Sequence, residues 1–482
     1  MTKDMRTTAF TNLVWRFMER AAAQLVAFVV SIVLARLLSP REFGLIAIIT
    51  VFTSLLAVFV DSGLGTSLIQ KKDADELDFS SVFYFNLFAC VVLYAALFMS
   101  APLISDFYHM PELTWPVRIL GLTLVITGVK SIQQSFVAKN LLFKRFFWAT
   151  LIGTVSSAAV GIAMAVMGFG VWALIAQQIS NAVIDTAVLW ITVRWRPHLC
   201  FSWDRLRSLL SMGWKFLTAS LIDTAYSNLR DFVIGKRYSS VDLAFFNRGR
   251  SLPSFIFSNV NISLNSVLLP VLSRAQDSVD RLRQITRRSL QIGSFFVWPM
   301  AVGLAVTAGN IVDLLFGPKW AAAVPYLQIY AFVSATTPIQ VANVNAIKAV
   351  GRADTFLWLE VCKKIIGTAI VFIALPFGVV AIALSAIVYS AIAFVLNTRM
   401  TRRIVNYSCL EQLRDMLPFM GLSVVMGIAV WAINFLSVPV LLQFTIQVIL
   451  GLTLYLSAAA LLRIEAWQYT KNIVVGLLKK KK

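Results

Sequence analysis

Apolar runs of membrane-spanning length follow one another along this chain, separated by short breaks rich in charge, proline or glycine. A helix rises about 1.5 Å per residue, so roughly 20 apolar residues match the ~30 Å hydrocarbon core of a bilayer. On that measure fourteen membrane-spanning helices are expected. The first six cover 14–37, 42–62, 80–104, 117–138, 147–168 and 170–193. The next six cover 211–235, 242–272, 289–313, 322–347, 354–375 and 377–398, and two more cover 415–436 and 439–462. The seventh and eighth runs are the least apolar. No stretch between runs is long enough for a soluble domain, so the expected fold is all-α and polytopic.

Composition supports that pattern. The 482 residues are 59% hydrophobic and 14% charged, where a soluble domain carries about 25% charge. Mean hydropathy is +0.78. A chain this apolar cannot cover itself with polar surface, so lipid is part of its solvent. Cys90, Cys200, Cys362 and Cys409 are far apart and signal neither a disulfide framework nor a zinc site. No cleavable signal peptide is expected, because no short apolar region with a small-residue cleavage site precedes the first run.

Charge sets the expected orientation. Lys and Arg number 43 against 23 Asp and Glu. Such a basic balance elsewhere suggests nucleic acid, but here the cations sit between apolar runs, and no nucleic-acid partner is expected. Loops following even-numbered runs, together with both termini, hold most of them, for example Lys71, Lys72, Lys144, Arg145, Arg281, Arg283, Arg287, Arg402 and Lys479. Loops following odd-numbered runs hold only Arg41, Lys236, Arg237 and Lys319. Cytoplasmic loops are enriched in Lys and Arg, which puts both termini in the cytoplasm and requires an even number of spans.

The chain also resembles itself. Trp15, Arg16 and Phe17 open the first run as Trp214, Lys215 and Phe216 open the seventh. Arg36, Ser39, Glu42, Phe43 and Gly44 match Arg237, Ser240, Asp242, Leu243 and Ala244. Phe169-Gly170-Val171 matches Phe377-Gly378-Val379. A duplication of six helices gives two lobes of the same topology, related by a pseudo-two-fold axis. The expected division is an N-terminal lobe, 1–200, a second lobe, 201–403, and two additional helices with a basic tail, 404–482.

Ionisable residues within spans are costly and usually face a partner or a cavity. Arg16, Glu19 and Arg20 share one face of the first helix, where snorkelling is the bland explanation. Asp61 ends the second helix, and the seventh carries Asp223, Arg230 and Asp231, where an Asp223–Arg230 pair is the structural alternative. The eighth opens with Asn247, Arg248 and Arg250 and continues through Asn259, Asn261 and Asn265. Lys130 lies in the fourth. These polar positions concentrate in helices that the repeat makes equivalent, and their balance is basic. Guanidinium forks suit phosphate or carboxylate. The candidate substrate-binding residues are therefore Arg16, Arg20, Arg230, Arg248 and Arg250, and Glu19, Asp61, Asp223 and Asp231 are candidate ion or proton carriers.

Three segments resemble a known family. They are Leu34-Ala35-Arg36-Leu37-Leu38-Ser39-Pro40-Arg41-Glu42-Phe43-Gly44-Leu45, the run from Asp61 to Lys72, and Leu315-Phe316-Gly317-Pro318-Lys319-Trp320. Together they look like the Wzx-type polysaccharide flippases of the multidrug/oligosaccharidyl-lipid/polysaccharide exporter superfamily. The resemblance implies two six-helix lobes around a central cavity lined by the first, second, seventh and eighth helices. It implies an undecaprenyl-pyrophosphate-linked oligosaccharide as cargo, flipped across a bacterial inner membrane for exopolysaccharide, capsule or O-antigen. It also implies working alongside a polysaccharide polymerase and chain-length proteins.

Rival readings fare less well. A multidrug antiporter of the same superfamily is expected to show an acidic lumen. A membrane enzyme needs an extramembrane active site, and the third loop offers only Asp106, His109 and Glu112. No Walker A sequence, metal site or cofactor motif appears.

Overall fold

A computed structural model of the chain describes Met18 and residues 22–61 and 63–468. All regular structure among the described residues is helical. In chain order the first helices are α1 (Ala22–Leu37), α2 (Pro40–Asp61), α3 (Leu64–Gln70), α4 (Glu76–Tyr108) and α5 (Thr114–Lys139). Then come α6 (Phe143–Val166), α7 (Val171–Thr192), α8 (Trp203–Arg237) and α9 (Ser240–Ser273). The remainder are α10 (Val279–Val306), α11 (Ala308–Phe316), α12 (Val324–Ala335), α13 (Thr337–Ala349), α14 (Ala353–Ala374), α15 (Val379–Val405), α16 (Cys409–Ala432) and α17 (Val440–Leu461).

Ten helical segments are long and apolar enough to cross a bilayer, counting α2 and α3 as one broken span. Each coincides with an apolar run of the sequence. The other four of the fourteen expected spans are helical but fall short by length or polarity. The described part of α1 is short. The seventh, α8, carries Lys215, Asp223, Arg230 and Asp231, and α14 carries Asp354, Glu360, Lys363 and Lys364. The tenth is interrupted at Thr336, between α12 and α13. The pattern of exposure is that of a protein solvated by lipid. On α17, Leu441, Leu442, Ile449 and Leu452 are exposed while Gln443 and Gln447 are buried.

The helices divide into two compact units, Met1–Ala244 and Phe245–Lys482, with the division inside α9. In the first, α6 packs on α7, α4 on α5, and α8 on α2, α3 and α4. Its tightest apolar cluster gathers Leu68, Phe79, Phe83, Ile132, Leu189 and Leu206, all at the end of the helices that carries the basic even loops. In the second, α10 packs on α12, α13 and α16, and α13 and α14 pack on α15. Its cluster of Leu272, Leu282, Ile339, Phe394, Val405 and Met416 lies at the corresponding end of its own helices.

Ion pairs close that basic end in each unit. The Asp78 carboxylate is fully buried and accepts from Lys71 Nζ at 2.6 and 2.7 Å, with Arg205 at 3.5 Å. The Asp78 amide, and beyond it the Arg205 guanidinium, hold the neighbouring Asp75 carboxyl below its ordinary pKa. In the second unit Arg287 grips Asp415 in a fork at 2.6 and 2.7 Å, and Arg283 meets Glu411 at 2.6 Å. Tyr407 donates to Asp415 at 2.7 Å, and burial together with that carboxylate pushes its hydroxyl pKa up.

Local geometry repeats where the sequence does. Ser39 donates through its amide and hydroxyl to Glu42 at 2.6 and 2.9 Å at the start of α2. Ser239 does the same to Asp242 at 3.3 and 2.6 Å at the start of α9. These caps correct the alignment read from sequence: the counterpart of Ser39 is Ser239, one residue before Ser240, because only that residue reaches the acidic side chain. Gly170 and Gly378 precede α7 and α15 with φ of +56° and +99°, a region L-residues avoid.

A third glycine sets a close approach. Gly63, at the break between α2 and α3, has φ +86°, and a Cβ there would lie 2.4 Å from the Gly213 carbonyl oxygen of α8. A Cβ on Gly378 would meet nothing within 4 Å. Gly378→Ala is expected to cost about 1–3 kcal/mol of backbone strain, and Gly63→Ala distinctly more. Thermal unfolding in detergent checks this, and equal losses would contradict the close packing of Gly63 on α8.

Candidate functional site

The polar positions singled out in the sequence separate by environment. Arg16, Glu19 and Arg20 lie outside the described residues. Asp61 is the last residue of α2. Asp223 is exposed on α8, and Asp231 is buried nearly two turns before the helix ends at Arg237. Arg230 is half-buried, and its Nε and Nη2 are buried without a hydrogen-bond partner. Among the described residues it makes no ion pair, so the anticipated Asp223–Arg230 pair does not form.

The two arginines of α9 stand against aromatic rings. Arg248 is buried, with its guanidinium carbon 4.9 Å from the Phe316 ring centre and 5.1 Å from that of Trp320. Both rings belong to the segment Leu315–Trp320 that had stood out as a motif. Gly249, next in the chain, is pressed on Ala323 and Tyr326: a Cβ there would lie 2.5 Å from the Tyr326 side chain. The motif thus receives the first turns of α9. Arg250 lies 5.4 Å over the Phe246 ring.

Polar side chains stand among the exposed and half-buried positions of these helices. On α2, Thr50, Thr53 and Ser54 bond to carbonyls of their own helix, at 2.7 Å from Thr50 to Ile46. Such back-bonding lets a hydroxyl sit in an apolar layer. On α8 the exposed positions include Lys215, Thr218 and Asp223. On α9 they include Ser251, Ser254, Asn259 and Asn265. Asn261 Oδ1 is buried without a hydrogen bond. No group of three or more His, Cys, Asp or Glu able to hold a metal exists among the described residues.

Sequence reasoning missed the partner of Lys130. Its ammonium meets Asp185 of α7 at 2.7 Å, with both side chains nearly buried. The pair joins α5 to α7 across 55 positions of sequence, a spacing that no local pattern reveals. It also missed amide pairs such as Asn343 with Gln412, which exchange two hydrogen bonds at 2.8 and 3.0 Å. The Arg41–Glu112 bridge at 2.8 Å joins the loops that follow the first and third spans.

Comparison with known proteins identifies the class. The fold is similar to that of the lipid II flippase MurJ in an inward closed conformation, with a TM-score of 0.75 over 94% of this chain and 99% of that one, at 14% identity. It is also similar to an inward-facing multidrug resistance transporter of the MATE family, with a TM-score of 0.62 over 80% and 94% of the two chains, at 13% identity. The chain is therefore a multi-pass membrane protein with the fold of these transporters. A family model described as polysaccharide biosynthesis protein matches residues 33–325, more than half of the chain, and the chain belongs to that family.

Relatives agree with that assignment. The succinoglycan biosynthesis transport protein ExoT of Rhizobium meliloti is 24% identical over 76% of this chain and 74% of its own. The teichuronic acid biosynthesis protein TuaB of Bacillus subtilis is 24% identical over 88% of each. The lipopolysaccharide biosynthesis protein WzxC of Escherichia coli is 25% identical over 69% of this chain and 68% of its own.

If Lys130 and Asp185 support structure alone, removing one partner leaves an uncompensated buried charge. Lys130→Met or Asp185→Asn should then destabilise by about 3–5 kcal/mol. The double variant should recover most of that loss. Unfolding temperatures of the three proteins in detergent check it, and a double variant no better than the singles would contradict a simple pair.

Proposed function

We propose that the chain flips an undecaprenyl-pyrophosphate-linked oligosaccharide from the cytoplasmic to the periplasmic leaflet of a bacterial inner membrane. The observation that carries this reading is Arg230, a guanidinium on α8 whose Nε and Nη2 are buried and make no hydrogen bond. A cation so placed is costly unless an anion arrives. A diphosphate offers oxygens in the forked geometry that guanidinium matches. The relatives' names speak of surface polysaccharides, and the fold is shared with a lipid II flippase.

In this reading the headgroup enters from the cytoplasmic side, and Arg16, Arg20, Arg230, Arg248 and Arg250 are the cations that meet it. Hydroxyl and amide side chains of the spans receive the sugars, and the prenyl chain stays in lipid. Alternating access shifts the population between two openings; no bond is made or broken. Glu19, Asp61, Asp223 and Asp231 are the groups that an ion or proton gradient would act on. Both termini face the cytoplasm. The product serves a polymerase and chain-length proteins on the far side.

The test replaces Arg230 with Ala in a strain lacking its own copy. Losing charge-assisted hydrogen bonds of about 1.5–3 kcal/mol should lower export roughly tenfold or more. Lipid-linked precursor should accumulate, and Arg230→Lys should retain part of the activity. Normal surface polysaccharide at normal protein level would overturn the role of Arg230. Export of small organic cations in place of glycan would favour a drug antiporter.

A further inference from the structure

A cavity with a few fixed polar groups lies wholly within the unit from Phe245 onward. It encloses about 540 Å³ between α10, α11, α12 and the end of α16. That falls within the range of small-ligand pockets, roughly 300–1,000 Å³. Its polar lining is three amides, Asn310, Gln328 and Asn434, beside the rings of Trp431 and Phe332, and no ionisable side chain lines it. The turns around it follow the ninth and thirteenth spans, so it opens at the end opposite the basic loops.

The amides are held in fixed directions by backbone carbonyls. Gln447, 1% exposed, donates through Nε2 to the Val430 carbonyl at 3.3 Å and to Asn434 Oδ1 at 2.9 Å. Its Oε1 must then be the acceptor, and Asn310 Nδ2 donates to it at 2.9 Å. Gln328 donates to the Ala305 carbonyl at 3.1 Å. A carbonyl can only accept, so the chain has one sense throughout. Among the described residues this leaves Asn310 Oδ1 and Gln328 Oε1 as unused acceptors, and one N–H each of Asn310 and Gln328 together with the Asn434 Nδ2 group as unused donors.

Two acceptors and three amide donors in preset directions, beside an exposed indole and without charge, match a ring of hydroxyls, each able to donate and accept, with an apolar C–H face. We infer that this cavity binds a neutral sugar ring. A carboxylate or phosphate would be desolvated there with no cation to meet it. Trp431 is half exposed and stands edge-on to Phe435 at 4.9 Å between ring centres, which leaves a face for the sugar. The ring belongs either to the carried glycan or to a glycolipid headgroup of the outer leaflet. Only the first of these sources rests on the function proposed above.

The test uses the full chain in nanodiscs of phosphatidylethanolamine and phosphatidylglycerol, with methyl hexosides as probes read by saturation-transfer NMR. Neutral methyl glucoside or methyl galactoside should bind, and methyl glucuronoside should bind more weakly. Asn434→Leu and Gln328→Leu should each weaken binding roughly fivefold, the equivalent of one ordinary hydrogen bond. Displacement by oligosaccharide released from the strain's own polysaccharide assigns the site to the glycan. Displacement by glucosyl-diacylglycerol assigns it to lipid. Absence of binding by either neutral hexoside, or displacement by neither competitor, overturns the inference. No export is measured, so this result stands apart from the Arg230 result.

Discussion

A polar group inside an apolar layer must find a partner within the chain, and this constraint shapes the whole molecule. Water is not there to replace a lost hydrogen bond, so every buried amide, hydroxyl and charge is either paired or costly. The pairing is visible throughout. Hydroxyls on α2 bond back to their own helix. Lys130 meets Asp185, Asn343 exchanges two bonds with Gln412, and Gln447 spans Asn310 and Asn434. Where helices reach the basic end, forks such as Arg287–Asp415 close each unit. With lipid outside, helices gain little from burying leucine against leucine, and these polar links hold much of the register.

Against that background an unmade bond is informative. Most charged side chains within spans are accounted for by a partner or an aromatic bed. The Arg248 guanidinium rests on Phe316 and Trp320, where α9 meets the Leu315–Trp320 turn. Arg230 differs, because two of its nitrogens are buried and unused. It lies on the helix whose polarity breaks the membrane pattern.

How much of this could be read in advance follows from the range of each interaction. Hydropathy is local, and the apolar runs located the spans, including α2 at 42–62, observed as Pro40–Asp61, and α17 at 439–462, observed as Val440–Leu461. The repeat was legible because caps and glycine turns are local as well, although the serine pairing was one residue off. The polar runs α8 and α14 were visible as departures from the same pattern. Pairings between distant helices were not. Asp185 sits in an apolar run with nothing beside it to mark it, and only the packing of α5 on α7 supplies Lys130. The aromatic bed of Arg248 lies 68 positions and more along the chain, at Phe316 and Trp320. The cluster of Arg16, Glu19 and Arg20 stays as the sequence left it.

The central claim is that this chain moves a lipid-linked diphosphate, with sugars attached, from one leaflet to the other. Its most direct measurement is translocation in sealed vesicles holding the purified protein. An undecaprenyl-diphosphate-linked, fluorescent oligosaccharide placed in the outer leaflet is followed by its exposure to an external glycosidase. The account predicts that label becomes protected in vesicles with the protein and stays cleavable in protein-free vesicles and in vesicles with Arg230→Ala. Label that stays fully cleavable with the wild-type chain in either orientation, under an imposed proton or sodium gradient, would contradict it.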